Sequence, residues 1–248
     1  MQRKNSELSE KAKKIILDRM KDRAVDAVLR ADNAEDFARV ARKNLGYFYE
    51  NLVFSSLDLG VNGGRVLDLG TQFGLCAISL AKQDYKFEIT GFQESLKFAD
   101  IGRNFAEEDM VDGKIRWVVG SQESLPFEDR SFDLVVSGFD MHHWENPVKV
   151  LNEVERVLKV KGALVIGDLR RDAFGVMMPL LKTFSYVVKN EKVYREMKAS
   201  FASSYTKSEV EEILKNSNLR GCTVSKDTQF VYITREKKEK KHVLVRFA

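Results

Sequence analysis

Two cysteines, three prolines and three histidines are all that the 248 residues hold of those types. Cys76 and Cys222 are too few for a disulfide framework and have no C-x-x-C spacing. The three histidines make no metal-binding pattern, so disulfide scaffolds and zinc modules are excluded, and no metal site is expected. Three prolines leave few forced breaks. No apolar run approaches the length of a spanning helix, which excludes an integral membrane class. The opening MQRKNSELSEKAKK lacks the apolar core of a secretory signal, so the reading predicts a cytoplasmic chain. Excess charge of one sign is also scarce. Of the net +4, the segment REKKEKKH (235–242) supplies +3 through five basic and two acidic side chains, leaving the body nearly neutral. A nucleic-acid binder would carry a basic stripe on its folded face, so no nucleic-acid partner is expected.

What is present suits a globular α/β chain: 44% hydrophobic and 31% charged residues, without repeats or low-complexity segments. Residues 8 to 58 carry Leu8, Ile15, Ile16, Val25, Val28, Leu29, Phe37, Val40 and Ala41 at helical spacing, which predicts two or three helices with a break near 31–33. After Gly63-Gly64 the pattern changes to short apolar runs separated by helical stretches: RVLDLG (65–70), FEITGF (87–92), KIRWVV (114–119), FDLVVSG (132–138) and ALVIGD (163–168). That alternation predicts a parallel sheet. Asn146 and Pro147 open a helix carrying Val150, Leu151, Val154, Val157 and Leu158, and Thr206-x-x-Glu209 is a capping-box pattern ahead of another. Runs 222–225 and 229–234 lie close enough for a closing hairpin with an antiparallel strand. The division expected is an N-terminal helical lid (1–60), a doubly wound, Rossmann-like domain (61–235) and a charged tail (236–248).

Ligands of such sheets sit beyond the carboxyl ends of the strands, so the loops there carry the chemistry. The first is Asp68-Leu69-Gly70-Thr71-Gln72-Phe73-Gly74, running directly into a helix; Gly70 and Gly74 allow close backbone approach, and no G-x-G-x-x-G dinucleotide fingerprint is present. In order and spacing, VLDLGTQFG, ITGFQES, VVGSQESLPFEDRSFDLVVS and NPVKVLNEVERVLKVKGALVIGD resemble the class I S-adenosylmethionine-dependent methyltransferases. The branch they are most similar to is the ubiquinone/menaquinone-biosynthesis type, over roughly residues 40 to 235.

The resemblance implies a mostly parallel seven-stranded sheet with an antiparallel last strand. It also implies S-adenosyl-L-methionine as cofactor (product S-adenosyl-L-homocysteine) and a small-molecule acceptor. Carried over, it gives Asp68, Gly70, Thr71, Gln72 and Gly74 the loop under the methionine moiety and Gln93 and Glu94 the ribose. Ser121 and Gln122 take the adenine, and Ser137 and Gly138 the cofactor's far side. Three positions depart from the family pattern: Gln72 replaces a glycine, and Gln93 and Ser121 replace acids. Losing two charge-assisted contacts costs on the order of 1–3 kcal/mol of binding, which keeps open a catalytically silent, nucleoside-binding module on the same fold. His142 and His143 follow the fourth strand and are the candidate general bases. Arg170 and Arg171 are either anchors for an acidic acceptor or members of an internal ion-pair set with Asp168, Asp172 or a neighbouring helix, and Tyr47, His143 and Tyr205 are candidate acceptor-pocket residues, with Phe48 and Tyr49 as further walls. Met177, Met178, Phe184, Tyr186, Tyr194 and Phe201 read first as helix core.

Overall fold

The computed structural model describes residues 8–22, 34–70, 72–83, 85–173, 175 and 198–236. In chain order these form α1 (Glu10–Asp22), α2 (Ala34–Asp58), β1 (Gly63–Leu69), α3 (Leu75–Ala81), β2 (Lys86–Gln93), α4 (Leu96–Glu108) and β3 (Ile115–Val119). They continue with β4 (Phe132–Gly138), α5 (Pro147–Val157), β5 (Leu158–Leu169), α6 (Lys207–Asn216), β6 (Thr223–Lys226) and β7 (Phe230–Arg235). The stretches at 177–194 and 243–247 lie outside the described residues.

The seven strands form one sheet in the order β3-β2-β1-β4-β5-β7-β6. β1 pairs in parallel with both β2 and β4, setting Leu67 opposite Thr90 on one side and Val135 on the other. β7 runs antiparallel to β5 and β6, so it alone opposes the rest, and the predicted closing hairpin is present. Strand order reverses between β1 and β4, where a doubly wound sheet opens its crevice.

Local chemistry explains most boundaries. The Asn146 side chain accepts the Lys149 N–H and Pro147 occupies the first turn of α5. Thr206 and Glu209 form a reciprocal capping box at α6. One boundary differs from the sequence reading: Leu158 begins β5 rather than ending the helix. It pairs with Phe132, and the register then shifts before Leu134 meets Ala163. The pull is tertiary, since Leu158 is 2% exposed and packs among the apolar residues of α5, β4 and β5.

The sheet is buried on both faces. One layer holds α2, α3 and α4 against Val66, Ile89, Val136 and Val165; the other holds α5 and α6 against Leu67, Val135, Leu164 and Ile166. Trp117 of β3 is accommodated by three glycines: a Cβ at Gly74, Gly91 or Gly102 would press on its ring. Two further glycines position α2 over the strand ends, because a Cβ at Gly138 or Gly167 would meet Leu52 at 3.0 or 2.9 Å. No described helix is long and apolar enough to cross a membrane.

Candidate active site

At the end of β1, Asp68 is fully buried and its Oδ2 accepts the Ala77 N–H of α3 at 2.7 Å. The acid from the strand therefore ties down the first turn of the helix beside it. Gly70 follows with φ +66 and donates its N–H to the Phe92 carbonyl at 2.9 Å, fixing the turn against β2. Phe73 and Gly74 also take positive φ, so the loop is tight. Gly74 is explained by packing: its missing Cβ makes room for Trp117, and the glycine is demanded from beneath the loop. Thr71 and the Gln72 side chain lie outside the described residues.

The ends of β2 and β3 divide their work between neighbours. Gln93 is 1% exposed, whereas Glu94, next in the chain, faces a cavity of about 430 Å³ lined also by Ser121, Gln122, Glu123, Trp144 and Glu145. Three glutamates and no basic residue line this hollow. Its volume is within the range of small-molecule sites. The Gln122 main-chain N–H donates to Glu94 at 3.2 Å, and the Ser121 hydroxyl accepts the Glu123 N–H at 3.2 Å. An acid is thus available one residue beyond the position expected to supply it.

Two side chains from separate loops meet above Gly70. The Gln122 Nε2 donates to Asp140 Oδ2 at 2.8 Å, and the Trp144 indole N–H donates to the same oxygen at 2.6 Å. Burial, opposed by the bonds from Trp144 and Gln122, pushes the Asp140 carboxyl up to about 8. The Gln122 carbonyl Oε1 is buried without a hydrogen-bond partner among the described residues, as is the Ser137 hydroxyl at the end of β4. Neither the Asp140 carboxyl nor this cross-loop bond was legible in the sequence, where Asp140 sits amid an apolar run.

Beyond β4 and β5, His142 and Asp168 form a buried pair: Nδ1 lies 2.8 Å from Oδ1, and the His142 main-chain N–H donates to Oδ2 at 2.8 Å. His143 packs its ring on His142 with centroids 4.0 Å apart. Tyr49 enters from α2. Its hydroxyl is buried, has no hydrogen-bond partner among the described residues, and is held well above the usual phenol value by burial first and then by the charges of Cys76, Asp68, Asp168 and Asp140.

The candidate acceptor residues fare unevenly. Tyr47 is 78% exposed; Phe48 and Tyr49 are the buried members of that trio. Of the two readings of the arginines, the structure shows the internal one, with both turned to the chain's own acids. Arg170 grips Asp172 at 2.9 and 3.0 Å and bonds the Asp227 carbonyl, and Arg171 pairs with Glu209 at 2.5 Å. Tyr205 is 2% exposed and packs in the core layer of α5 and α6. Phe201 is buried, as a core reading expects.

Comparison with known proteins agrees with this layout. Residues 67–166 match the family model described as "Methyltransferase domain". The demethylmenaquinone methyltransferase of Thermotoga maritima is 42% identical over 113 residues, covering 46% of this chain and 47% of that protein. The ubiquinone/menaquinone biosynthesis C-methyltransferase UbiE of Geobacter sp. (strain M21) is 34% identical over 115 residues, 46% of this chain and 49% of its own length. The chain spans about half the length of these curated relatives. Among solved structures, the plantazolicin methyltransferase BpumL, crystallised with a monoazolic desmethylPZN analog and S-adenosylhomocysteine, superposes with a TM-score of 0.71. It is 14% identical and covers 92% of this chain and 98% of that one.

Proposed function

With residues 67–166 a methyltransferase domain set in a sheet of the Rossmann-like methyltransferase type, we propose that the chain is an S-adenosyl-L-methionine-dependent methyltransferase, acting on a small-molecule acceptor by in-line transfer. The observation that carries the reading is the acidic cavity of about 430 Å³ in the loops beyond β2 and β3, joined to the Gly70 turn through Gln122, which lines the cavity and whose Nε2 lies over Gly70. Ribose hydroxyls and an exocyclic amine are donors, and Glu94 and Ser121 present acceptors for them, while Glu123 in the same lining is paired with Lys149 at 3.1 Å. With no cation in the lining, a phosphate-bearing nucleotide is disfavoured, whereas a nucleoside with net positive charge suits the surrounding carboxylates. Asp68 and Asp168, both buried, add further acid groups near Tyr49.

When bound, the cofactor supplies a sulfonium methyl, an already activated electrophile. The chain's own tasks are then orientation, exclusion of water and movement of one proton. Asp68 fixes the loop-to-helix turn, Gly70 leaves its surface clear, and Ser137 and Tyr49 offer buried hydroxyls. Asp168 faces His142 Nδ1 and orients the ring, which we take as the candidate general base for a phenolic or enolic acceptor. α2, seated on Gly138 and Gly167, covers the strand ends and helps to exclude water there. Because two relatives are named for quinone-pathway methylation, a demethylated naphthoquinol is the first acceptor to assay. We place the enzyme in the cytoplasm.

Calorimetry tests the cofactor assignment directly. S-adenosylmethionine and S-adenosylhomocysteine are expected to bind in the micromolar to sub-millimolar range, and NAD and AMP far more weakly. No heat from either adenosyl compound at millimolar concentration would remove the proposal.

A further inference from the structure

The cradle is crossed by the chain's own side chains. Gln122 comes from the loop after β3 and Asp140 from the loop after β4, so their 2.8 Å hydrogen bond passes over the ends of β2 and β1. Its position is marked by Gly70: a Cβ built there would collide with both Asp140 Oδ2 and Gln122 Nε2. The two end groups therefore occupy the space that a ligand resting on Gly70 needs.

We propose that Gln122 and Asp140 are a latch, closed across the adenosyl site without ligand and parted when the cofactor seats on Gly70. This rests on the cofactor assignment above and adds a mechanism of admission to it. Three observations favour parting on the Gln122 side. Its Nε2 is given to Asp140 while its Oε1, equally buried, has no donor among the described residues, so the amide is half satisfied where it stands. Gln122 also lines the 430 Å³ cavity, so the amide has open space to swing into, clear of Gly70. Asp140, in contrast, keeps the Trp144 indole bond when Gln122 leaves, so the acid stays anchored and only one side chain has to move. The closed latch joins groups of low net charge, because burial keeps the Asp140 carboxyl largely protonated at neutral pH. A cation arriving beside it favours the ionised form.

The latch opposes binding by the strength of the bond that must break. Gln122→Ala, which keeps Gly70 and Glu94 untouched, should therefore bind S-adenosylhomocysteine about three- to tenfold more tightly than the wild-type chain, the change expected from removing one buried hydrogen bond. Gln122→Ser serves as the second variant should the alanine chain fail to fold. Isothermal calorimetry on the full chain reads the affinity, and ¹⁵N-tryptophan labelling reads the Trp144 indole, which is assigned by its loss in Trp144→Phe. Tighter binding, with a ligand-induced indole shift smaller in the variant than in the wild type, supports the latch. Equal or weaker binding, with shifts of the same size in both, overturns it and leaves the cofactor assignment intact. Binding by the variants alone shows a latch that holds the wild-type site shut. Absence of binding by every chain removes the assignment and the latch together.

Discussion

Asp168 gathers three donors from the start of its neighbouring loop and its own strand end: the His142 main-chain N–H and Nδ1 at 2.8 Å each, and the Leu169 N–H at 2.7 Å. Both His142 and Asp168 are essentially excluded from solvent, so water cannot readily replace this carboxylate. Asp168→Ala should therefore cost about 3 kcal/mol or more of stability, each stranded buried donor contributing about 1–3 kcal/mol. Asp168→Asn should cost less but turn an amide N–H toward the ring and drive the imidazole proton to Nε2. Urea denaturation measures the first effect, and ¹⁵N imidazole shifts of histidine-labelled protein measure the second; an unchanged tautomer in Asp168→Asn would separate the pair from the chemistry proposed for it.

How far the sequence speaks follows from the range of the forces involved. Strand positions were legible because a parallel strand buried on both faces must be a short apolar run, and the caps at Asn146 and Thr206 because a cap is satisfied within four residues. The crevice was legible through topology. What a side chain meets across 18 or more residues was not. The Gln122–Asp140 bond, the pairing of Arg171 with Glu209 and the demand of Trp117 on Gly74 all join loops that only the folded sheet brings together. Likewise, nothing local distinguishes Gln93 from Glu94 at the end of β2. The register decides which is buried and which faces the cavity.

Gly70 and Gly74 make a contrasting pair. Both adopt positive φ, so alanine at either carries a backbone cost of about 1–2 kcal/mol. At Gly70 the added methyl strikes the tips of Gln122 and Asp140, which lie in the ligand's path; at Gly74 it strikes the Trp117 ring, which is core. Gly70→Ala is expected to lose S-adenosylhomocysteine binding by at least tenfold with a modest fall in Tm. Gly74→Ala should lower Tm more and affinity less. Thermal melts alongside calorimetry distinguish the two, and the reverse pattern would reassign both glycines.

The Asp140 carboxyl sets a pH dependence. Its value in the folded chain is about 8 against 3.8 for an unperturbed group, so the folded state binds the extra proton between those values. The stability associated with that proton is complete below about pH 4 and is lost as pH rises toward 8, the direction required when the native state binds more protons than the unfolded one. Asp140→Asn cannot titrate. The unfolding free energy of wild type relative to Asp140→Asn, read from urea denaturation, should therefore fall steadily from pH 5 to pH 8.5, by a total on the order of a few kcal/mol. Parallel profiles for the two chains would place the titrating group elsewhere.

Tyr49 carries the last expectation. The sequence reading took Tyr47, Phe48 and Tyr49 as apolar walls, and the structure exposes the first while burying the other two against Phe139. The Tyr49 ring is accounted for by that packing and by its place beside Gly138. Its hydroxyl is not, since it is buried among Asp68, Asp140 and Asp168 without a hydrogen-bond partner among the described residues. A buried hydroxyl left in that state costs about 1–3 kcal/mol. Removing it by Tyr49→Phe should raise stability by about 1 kcal/mol in the ligand-free chain. A hydroxyl that completes its bonding only with ligand present predicts the opposite sign for binding, a loss of about three- to tenfold in affinity for S-adenosylmethionine. Opposed signs in the denaturation and calorimetry of one variant are the signature of a site residue. A Tyr49→Phe chain that is both less stable and unchanged in affinity would make the hydroxyl part of the scaffold.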